Sequence, residues 1–225
     1  MFGWLSNKQA DGSDSLSHTL AEKSLIMIVG PSAVGKSAVM SEVVRRNPSF
    51  GRVTSFTTRR PRSDEEAGTY RYISREEAET LIRKSKTVQY AIHPTTNMIY
   101  GSTLNDYPNK YNMLDTLSSA VIELESLPFK QTMVISITTP ADQWRDRFLA
   151  RYPGPSDEAL KRLEEARQSI EWSLAHPKIY WLSNPQGGLP QVAAQLIELA
   201  KYPERHTSVP PEPHAILELI ERGLW

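Results

Sequence analysis

Leu25-Ile26-Met27-Ile28-Val29 runs without a break into Gly30-Pro31-Ser32-Ala33-Val34-Gly35-Lys36-Ser37. Five consecutive apolar residues, Ile and Val among them, predict a strand buried on both faces. The octet behind it reads G-x-x-x-x-G-K-S, and Ser37-Ala38-Val39-Met40-Ser41-Glu42-Val43-Val44 predicts a helix. Strand, glycine-rich turn and helix in that order are the setting of a phosphate loop. Successive backbone N–H groups and the helix N-terminus then point at one spot, which suits a polyphosphate. Gly30, Pro31, Ser32, Ala33, Val34 and Gly35 would wrap the phosphates of a nucleoside triphosphate. Lys36 would reach the β- and γ-phosphates, and the Ser37 hydroxyl would sit on a magnesium ion. A glycine turn with a surface lysine is the plain alternative, and it leaves the flanking strand and helix unexplained.

Composition is compatible with an enzyme of small molecules. With 225 residues, 39% hydrophobic and 23% charged, the chain can bury one core with appendages. Lys+Arg 26 balances Asp+Glu 26, so no global charge points to nucleic acid or to an anionic membrane, and any functional positive charge must be local. Cysteine is absent, which excludes disulfides, thiolate zinc sites and cysteine nucleophiles. Neither a run of eighteen apolar residues nor a signal-peptide core is found, so a cytoplasmic protein is expected.

Residues 1–22, rich in Ser, Asp, Lys and Gly after Met1–Leu5, read as a flexible leader. Past the first helix, Asn47-Pro48-Ser49-Phe50-Gly51 breaks the pattern, and Arg52-Val53-Thr54-Ser55-Phe56-Thr57-Thr58 predicts a second strand. It opens into Arg59-Arg60-Pro61-Arg62, where Arg59 and Arg62 can converge on one anion across the proline. Two guanidinium groups match the oxygens of a phosphate dianion better than lysines do. Ser74-x-x-Glu77 is a capping box for a helix through about Lys84.

Gly30-Pro31-Ser32 before Gly35-Lys36-Ser37, then Ser55-Phe56-Thr57-Thr58-Arg59-Arg60-Pro61-Arg62, resembles the guanylate kinase family. The likeness continues through Gly68-Thr69-Tyr70-Arg71-Tyr72-Ile73-Ser74-Arg75-Glu76-Glu77 and Tyr100-Gly101-Ser102-Thr103, and covers roughly residues 23–203. It implies an α/β fold: a three-layer P-loop NTPase core with a parallel sheet, a small nucleoside-monophosphate-binding β subdomain (about 52–104) and a helical lid (about 145–165). It also implies ATP and magnesium, nucleotide substrates, and an acceptor phosphate held by Ser55, Arg59, Arg62, Tyr70 and Tyr100.

Two positions depart from that family. Gln89 stands where it carries a glutamate that pairs with guanine, and a glutamine accepts one hydrogen bond but brings its own donors. Ser102 matches the family's other base-reading hydroxyl, while His93 reads as a rim residue. Tyr111-Asn112-Met113-Leu114-Asp115 predicts a core strand whose terminal carboxylate, Asp115, suits magnesium through water. Leu117 replaces a second aspartate that also serves the guanine. Phosphate chemistry is thus expected intact and base choice altered.

Thr132–Ile137 predicts another core strand, and Thr139-Pro140-x-Asp142 starts a helix with a cap and a first-turn proline. That helix carries Arg147 and Arg151. Ser156-Asp157-Glu158 opens the next, with Leu160, Leu163, Ile170 and Leu174 at helical spacing and Arg162 on it. In the resemblance these three arginines close over the triphosphate and offset charge on the transferred group. Pairing with Asp146 or Glu158 on a helix surface is the plain alternative. Ile179–Asn184 predicts a last strand, with the donor's adenine near Ser183 and Asn184, and Leu189–Lys201 a closing helix. Residues 204–225 comprise a proline-rich linker and an amphipathic helix over His214–Trp225, expected to dock on its own domain or to serve self-association.

Three functions fit these residues. One is transfer of the ATP γ-phosphoryl group to GMP. Another is the same transfer to a different acceptor, another nucleotide or a ribose phosphate, as Gln89 and Leu117 suggest. The third is a non-catalytic phosphopeptide-binding module on the same fold, which would have no use for Lys36 and the lid arginines.

Overall fold

The apolar run becomes β1 (Ser24–Val29), buried at every position. The computed structural model describes residues 13–61, 68–92, 96–205 and 207–225. In chain order the elements are α1 (Ser13–Leu20), β1, α2 (Lys36–Arg46), β2 (Phe50–Arg52), β3 (Phe56–Thr57), β4 (Arg71–Tyr72), α3 (Arg75–Arg83), β5 (Thr87–Ile92) and β6 (Ile99–Thr103). There follow β7 (Tyr111–Asp115), α4 (Val121–Glu125), β8 (Gln131–Thr138), α5 (Ala141–Arg151), α6 (Asp157–Ala175), β9 (Ile179–Ser183), α7 (Leu189–Lys201) and α8 (Glu212–Arg222). The larger sheet has the order β2-β7-β1-β8-β9, with β2 parallel to β7 and β8 parallel to β9. The expected α/β class with a parallel sheet is what the chain adopts. His93, Arg62 and residues 1–12 of the expected flexible leader lie outside the described residues, whereas Ser13–Leu20 of that leader is the helix α1, with Leu20 fully buried.

Two compact units divide the described chain, one drawn from residues 1–25, 49–114 and 119–132, the other from 26–48, 115–118 and 133–225. In the second, α2 packs against α7, and α8 packs against both α5 and α6. The first holds a four-stranded sheet of order β4-β3-β6-β5. One face of it is a small core: Phe56 and Ile99 pack with Ala78 of α3, and Leu81, Ile82 and Ile92 close around them. Gly101 belongs to this face because a Cβ there would lie 2.5 Å from the Phe56 ring. Alternation along β6 sends Tyr100 and Ser102 to the opposite face.

The strand expected over Arg52–Thr58 is in fact two, in different sheets, and Phe50 and Gly51 belong to the first. Val53 N–H still bonds Met113 O beside β7, whereas Ser55 O accepts from Arg71 N–H beside β4. The partner changes within three residues, and Phe56 turns into the small core. Ser74 caps α3 as expected, accepting from Glu77 N–H at 3.1 Å.

Three helix details differ from the sequence reading. Thr139 does not cap α5: its hydroxyl donates to Asn184 O at 2.8 Å, and Pro140 takes the cap position. On α6 the buried residues are Ala159, Ala166, Ile170 and Ser173, while Leu160 is exposed. Small side chains are needed there because α6 lies close on β8, with Ser136 Oγ donating to Ser173 Oγ at 3.2 Å. Finally, α8 begins at Glu212 and is closed by Gly223; Leu224, fully buried, follows the helix.

Candidate functional site

The residues expected to hold the donor phosphates form the turn between β1 and α2. Gly30 has φ +130°, and a Cβ there would stand 2.4 Å from Ile137 O. At Gly35, φ is +89° and a Cβ would stand 2.5 Å from Asn184 Nδ2. Both positions therefore require glycine for conformation and for space. Gly35 is also the N-cap of α2, with no side chain occupying the helix end and no acid in its first turn. The leading N–H groups are left for an anion.

Neighbouring elements hold this turn from outside. Asn184 donates through Nδ2 to Val34 O at 2.8 Å, and its own carbonyl accepts from Thr139 Oγ1. Trp144 of α5 donates through Nε1 to Ser32 O at 2.9 Å. Lys36 Nζ donates to Gly30 O at 2.7 Å and Pro31 O at 3.3 Å, and stands 3.8 Å from Asp115 Oδ1. The ammonium and the carboxylate thus meet at the loop, and the Asp115 side chain is 41% exposed. Ser37 follows Lys36 in the first turn of α2.

The three arginines are placed differently. Arg147 points its guanidinium at Asn184 O, with both terminal nitrogens at 3.4 Å, so it lies beside the loop's own support. Arg151 lies over the Tyr152 ring at 5.6 Å. Arg162 pairs with Glu165 Oε2 at 2.7 Å, a different partner from the Asp146 or Glu158 considered above. Burial works against its charge, but Glu165, with Tyr152 and Glu158 farther off, raises its pKa. Ser183 donates to Glu212 Oε1 of α8 at 2.6 Å.

The residues expected to hold the acceptor are carried by the other unit, on the face of the small sheet away from Phe56. The Arg59 guanidinium sits 4.9 Å from the Tyr70 ring and 5.6 Å from the Tyr72 ring. Tyr70 meets Tyr100 edge-on at 6.0 Å. Ser55 is buried where the chain enters β3. Gln89 of β5 is directly opposite Ser102 of β6 in the antiparallel ladder, so both side chains share the face that carries Tyr100. Gln89 is half-buried, while Ser102 is fully buried and its hydroxyl bonds Tyr107 Oη at 2.7 Å. Arg59, Tyr70, Tyr100, Gln89 and Ser102 are thus gathered on one unit. Leu117, at the expected position of a second aspartate, is 55% exposed.

Sequence reasoning passed over Trp144, Tyr72, Tyr107 and Glu212. A tryptophan four residues into a charged helix could have flagged Trp144. Tyr107 sits in a polar turn before Pro108 and carries no local signal of its burial.

The sequence profile described as "Guanylate kinase" matches residues 22–173. A guanylate kinase of Streptococcus pneumoniae is 32% identical over 65% of this chain and 73% of its own length. A guanylate kinase of Schizosaccharomyces pombe is 28% identical over 66% of this chain and 76% of its own. The crystal structure of guanylate kinase from Anaplasma phagocytophilum superposes with a TM-score of 0.54 at 15% identity, covering 84% of this chain and 89% of that one. The last likeness speaks for the fold alone; with the profile and the sequence relatives, it joins a phosphate loop and an arginine–tyrosine face already described. The chain belongs to the guanylate kinase family.

Proposed function

We propose that this chain transfers the γ-phosphoryl group of ATP to GMP, giving ADP and GDP. The observation that carries the reading is the meeting of Lys36 and Asp115 at a loop whose two glycines admit no side chain. Lys36 is the donor-side cation: its bonds to Gly30 O and Pro31 O hold the ammonium in place, to be exchanged for phosphate oxygens. Backbone N–H groups of residues 30–37 take the remaining phosphate charge.

Ser37 and Asp115 fit a magnesium ion. A hydroxyl and one carboxylate are the few hard oxygen ligands such an ion takes from protein when phosphates and water supply the rest. Ser37 and Asp115 would hold the ion, which would supply neutralising charge at the phosphates.

On the acceptor side Arg59, with Ser55, Tyr70, Tyr100 and Arg62, holds the acceptor phosphate. The Tyr70 and Tyr72 rings, 4.9 and 5.6 Å from the Arg59 guanidinium, limit its orientation, and its fork suits two parallel bonds to a dianion. Gln89 and Ser102 face the base. The lid spans about 145–165, and its Arg147, Arg151 and Arg162 offset charge on the group in flight; Ser183 and Asn184 flank the adenine. Catalysis is positioning and charge stabilisation, with no covalent intermediate. Gln89 and Leu117 favour a second reading in which another nucleotide or a ribose phosphate is the acceptor.

A coupled assay of ADP release across GMP, AMP, UMP, CMP and ribose phosphates separates the two. GMP is expected to be turned over, and Lys36→Ala to abolish turnover while retaining the thermal transition. Undiminished turnover in Lys36→Ala removes the kinase reading, and a ribose phosphate outrunning GMP replaces the acceptor.

A further inference from the structure

We propose that Tyr152 is a positioning residue: it ends an aromatic stack tied to the phosphate loop and holds the Arg151 guanidinium where phosphoryl transfer needs it. This rests on the kinase reading, in which Arg151 offsets charge on the group in flight, and adds what sets that arginine's place.

Helical spacing lays the stack down. Trp144, Phe148 and Tyr152 follow one another at i, i+4 and i+8, which puts all three on one stripe along α5 and its C-cap. Trp144 and Phe148 are fully buried and Tyr152 nearly so. Successive ring centroids are 5.2 and 4.9 Å apart with planes tilted by 42° and 45°, inside the range of attractive aromatic pairs. Trp225, beyond α8, adds an edge-on contact to the middle ring at 6.5 Å. The first ring is fixed from the loop side. Trp144 has a single polar hydrogen, on Nε1, and it goes to Ser32 O at 2.9 Å. That carbonyl belongs to the turn between β1 and α2, so the stack starts from the backbone expected to carry the donor phosphates.

The last ring sits where α5 stops. Tyr152 N–H still bonds Phe148 O at 2.8 Å, but φ −128° and ψ 84° leave the helix, and Pro153 behind it favours that extended backbone. The chain departs toward α6 while the ring stays on Phe148. The Arg151 guanidinium lies 5.6 Å from the centroid of this ring, within reach of its electron-rich face. Tyr152 is near Arg162 of α6 as well: burial works against that arginine's charge, while Glu165 and then Tyr152 favour it. The Tyr152 hydroxyl makes no hydrogen bond to a described residue, so the holding is done by the ring. Arg145, exposed on the same helix, has no partner among the described residues. A stacked guanidinium has given up much of its side-chain freedom before any substrate arrives. Charge builds on the transferred group only in the transition state, so an arginine already in place is felt in kcat and not in KM.

The test takes wild type, Tyr152→Phe, Tyr152→Leu, Arg151→Ala and the double variant of the last two. It measures kcat, the KM values for ATP and GMP, and 15N relaxation of the arginine Nε–H groups. Tyr152→Leu should lower kcat about ten-fold, with both KM values within about two-fold of wild type. Tyr152→Phe keeps the ring and should hold kcat within about two-fold of wild type. In the Arg151→Ala background the change Tyr152→Leu should cost well under about ten-fold, because the arginine it positions is gone. The Arg151 Nε–H should be as ordered as the backbone of α5, more so than that of Arg145, and should loosen in Tyr152→Leu. Full kcat in Tyr152→Leu overturns the proposal and leaves the ring as core filling. An equal loss in Tyr152→Phe overturns it too, as does additivity with Arg151→Ala. If Tyr152→Leu does not fold, wild type decides: an Arg151 Nε–H as mobile as that of Arg145 overturns the proposal. Should wild type turn over no acceptor, the kinase reading fails, and the relaxation of Arg151 in wild type and Tyr152→Leu still judges whether Tyr152 holds the arginine.

Discussion

Gln89 lies directly across from Ser102 and half-exposed, on the face that also carries Tyr100. Guanine offers N1–H and the N2 amine as adjacent donors, and a carboxylate accepts both without a competing donor. In the proposed pose Gln89 would accept one bond, and its amide would otherwise meet a guanine donor head-on in a shielded place. Gln89→Glu is therefore expected to raise kcat/KM for GMP about ten-fold, by one charged hydrogen bond, and to leave IMP behind because IMP lacks the amine. Steady-state kinetics with both nucleotides check it; a GMP rate unchanged or lower means that position 89 does not read the base. Side chains of this kind were legible in the sequence because each stood in a motif. Tyr107 was not, since nothing in Asp106-Tyr107-Pro108 tells that a turn will bury the ring and leave its hydroxyl one partner. Asn112 escaped likewise: buried in β7, it is satisfied by Asn109, through Nδ2 to the carbonyl at 2.7 Å.

The helices that carry Arg147, Arg151 and Arg162 show which part of element assignment sequence can supply. α7 was bounded correctly at both ends, having an apolar stripe, a first-turn proline and Lys201 at its close. The buried stripe of α6 was misplaced because Ala159, Ala166 and Ser173 do not register as apolar, yet only such residues let it lie close on β8. Likewise no local signal divides Arg52–Thr58 between two sheets; the division comes from partners, Met113 and Arg71, that are distant in sequence. On α6 itself, Arg162 is held by Glu165, whose side chain is 52% exposed. Such a pair is worth at most about 1 kcal/mol, so a phosphate can take the arginine from it. Arg162→Ala is expected to lower kcat roughly a hundred-fold with GMP KM little changed, while Glu165→Gln leaves kcat within about two-fold. Full activity in Arg162→Ala would reduce that residue to a surface ion pair.

Beyond residue 173, where the family profile stops, the chain still packs on the unit that carries the phosphate loop. β9 is an edge strand, and the segment after α7 runs along it: Tyr180 Oη donates to Pro203 O, Trp181 N–H to Thr207 Oγ1 at 2.6 Å, and Ser183 to Glu212. An open edge invites pairing with other chains, and this cover removes it. α8 then packs on α5 and α6, burying Pro213 and Ile216, with Leu224 buried beyond it; the Trp225 ring is 6.5 Å from Phe148 of α5. The apolar residues read from the sequence as a docking face are therefore spent largely on the chain itself. Because α5 and α6 bear the arginines proposed for the lid, weakening α8 should be felt in catalysis as well as in stability. Ile216→Ala removes a fully buried side chain and is expected to cost about 2–4 kcal/mol. That corresponds to a loss of roughly 10 °C in Tm for a chain of this size. Hydrogen exchange should quicken in α5 and α6 before α2, and kcat should fall while the KM for GMP, proposed to bind on the other unit, holds. Thermal unfolding, exchange and kinetics on the one variant check all three. If Tm and exchange in α5 and α6 stay unchanged while sedimentation becomes concentration-dependent in a new way, α8 serves a contact between copies and not the donor half.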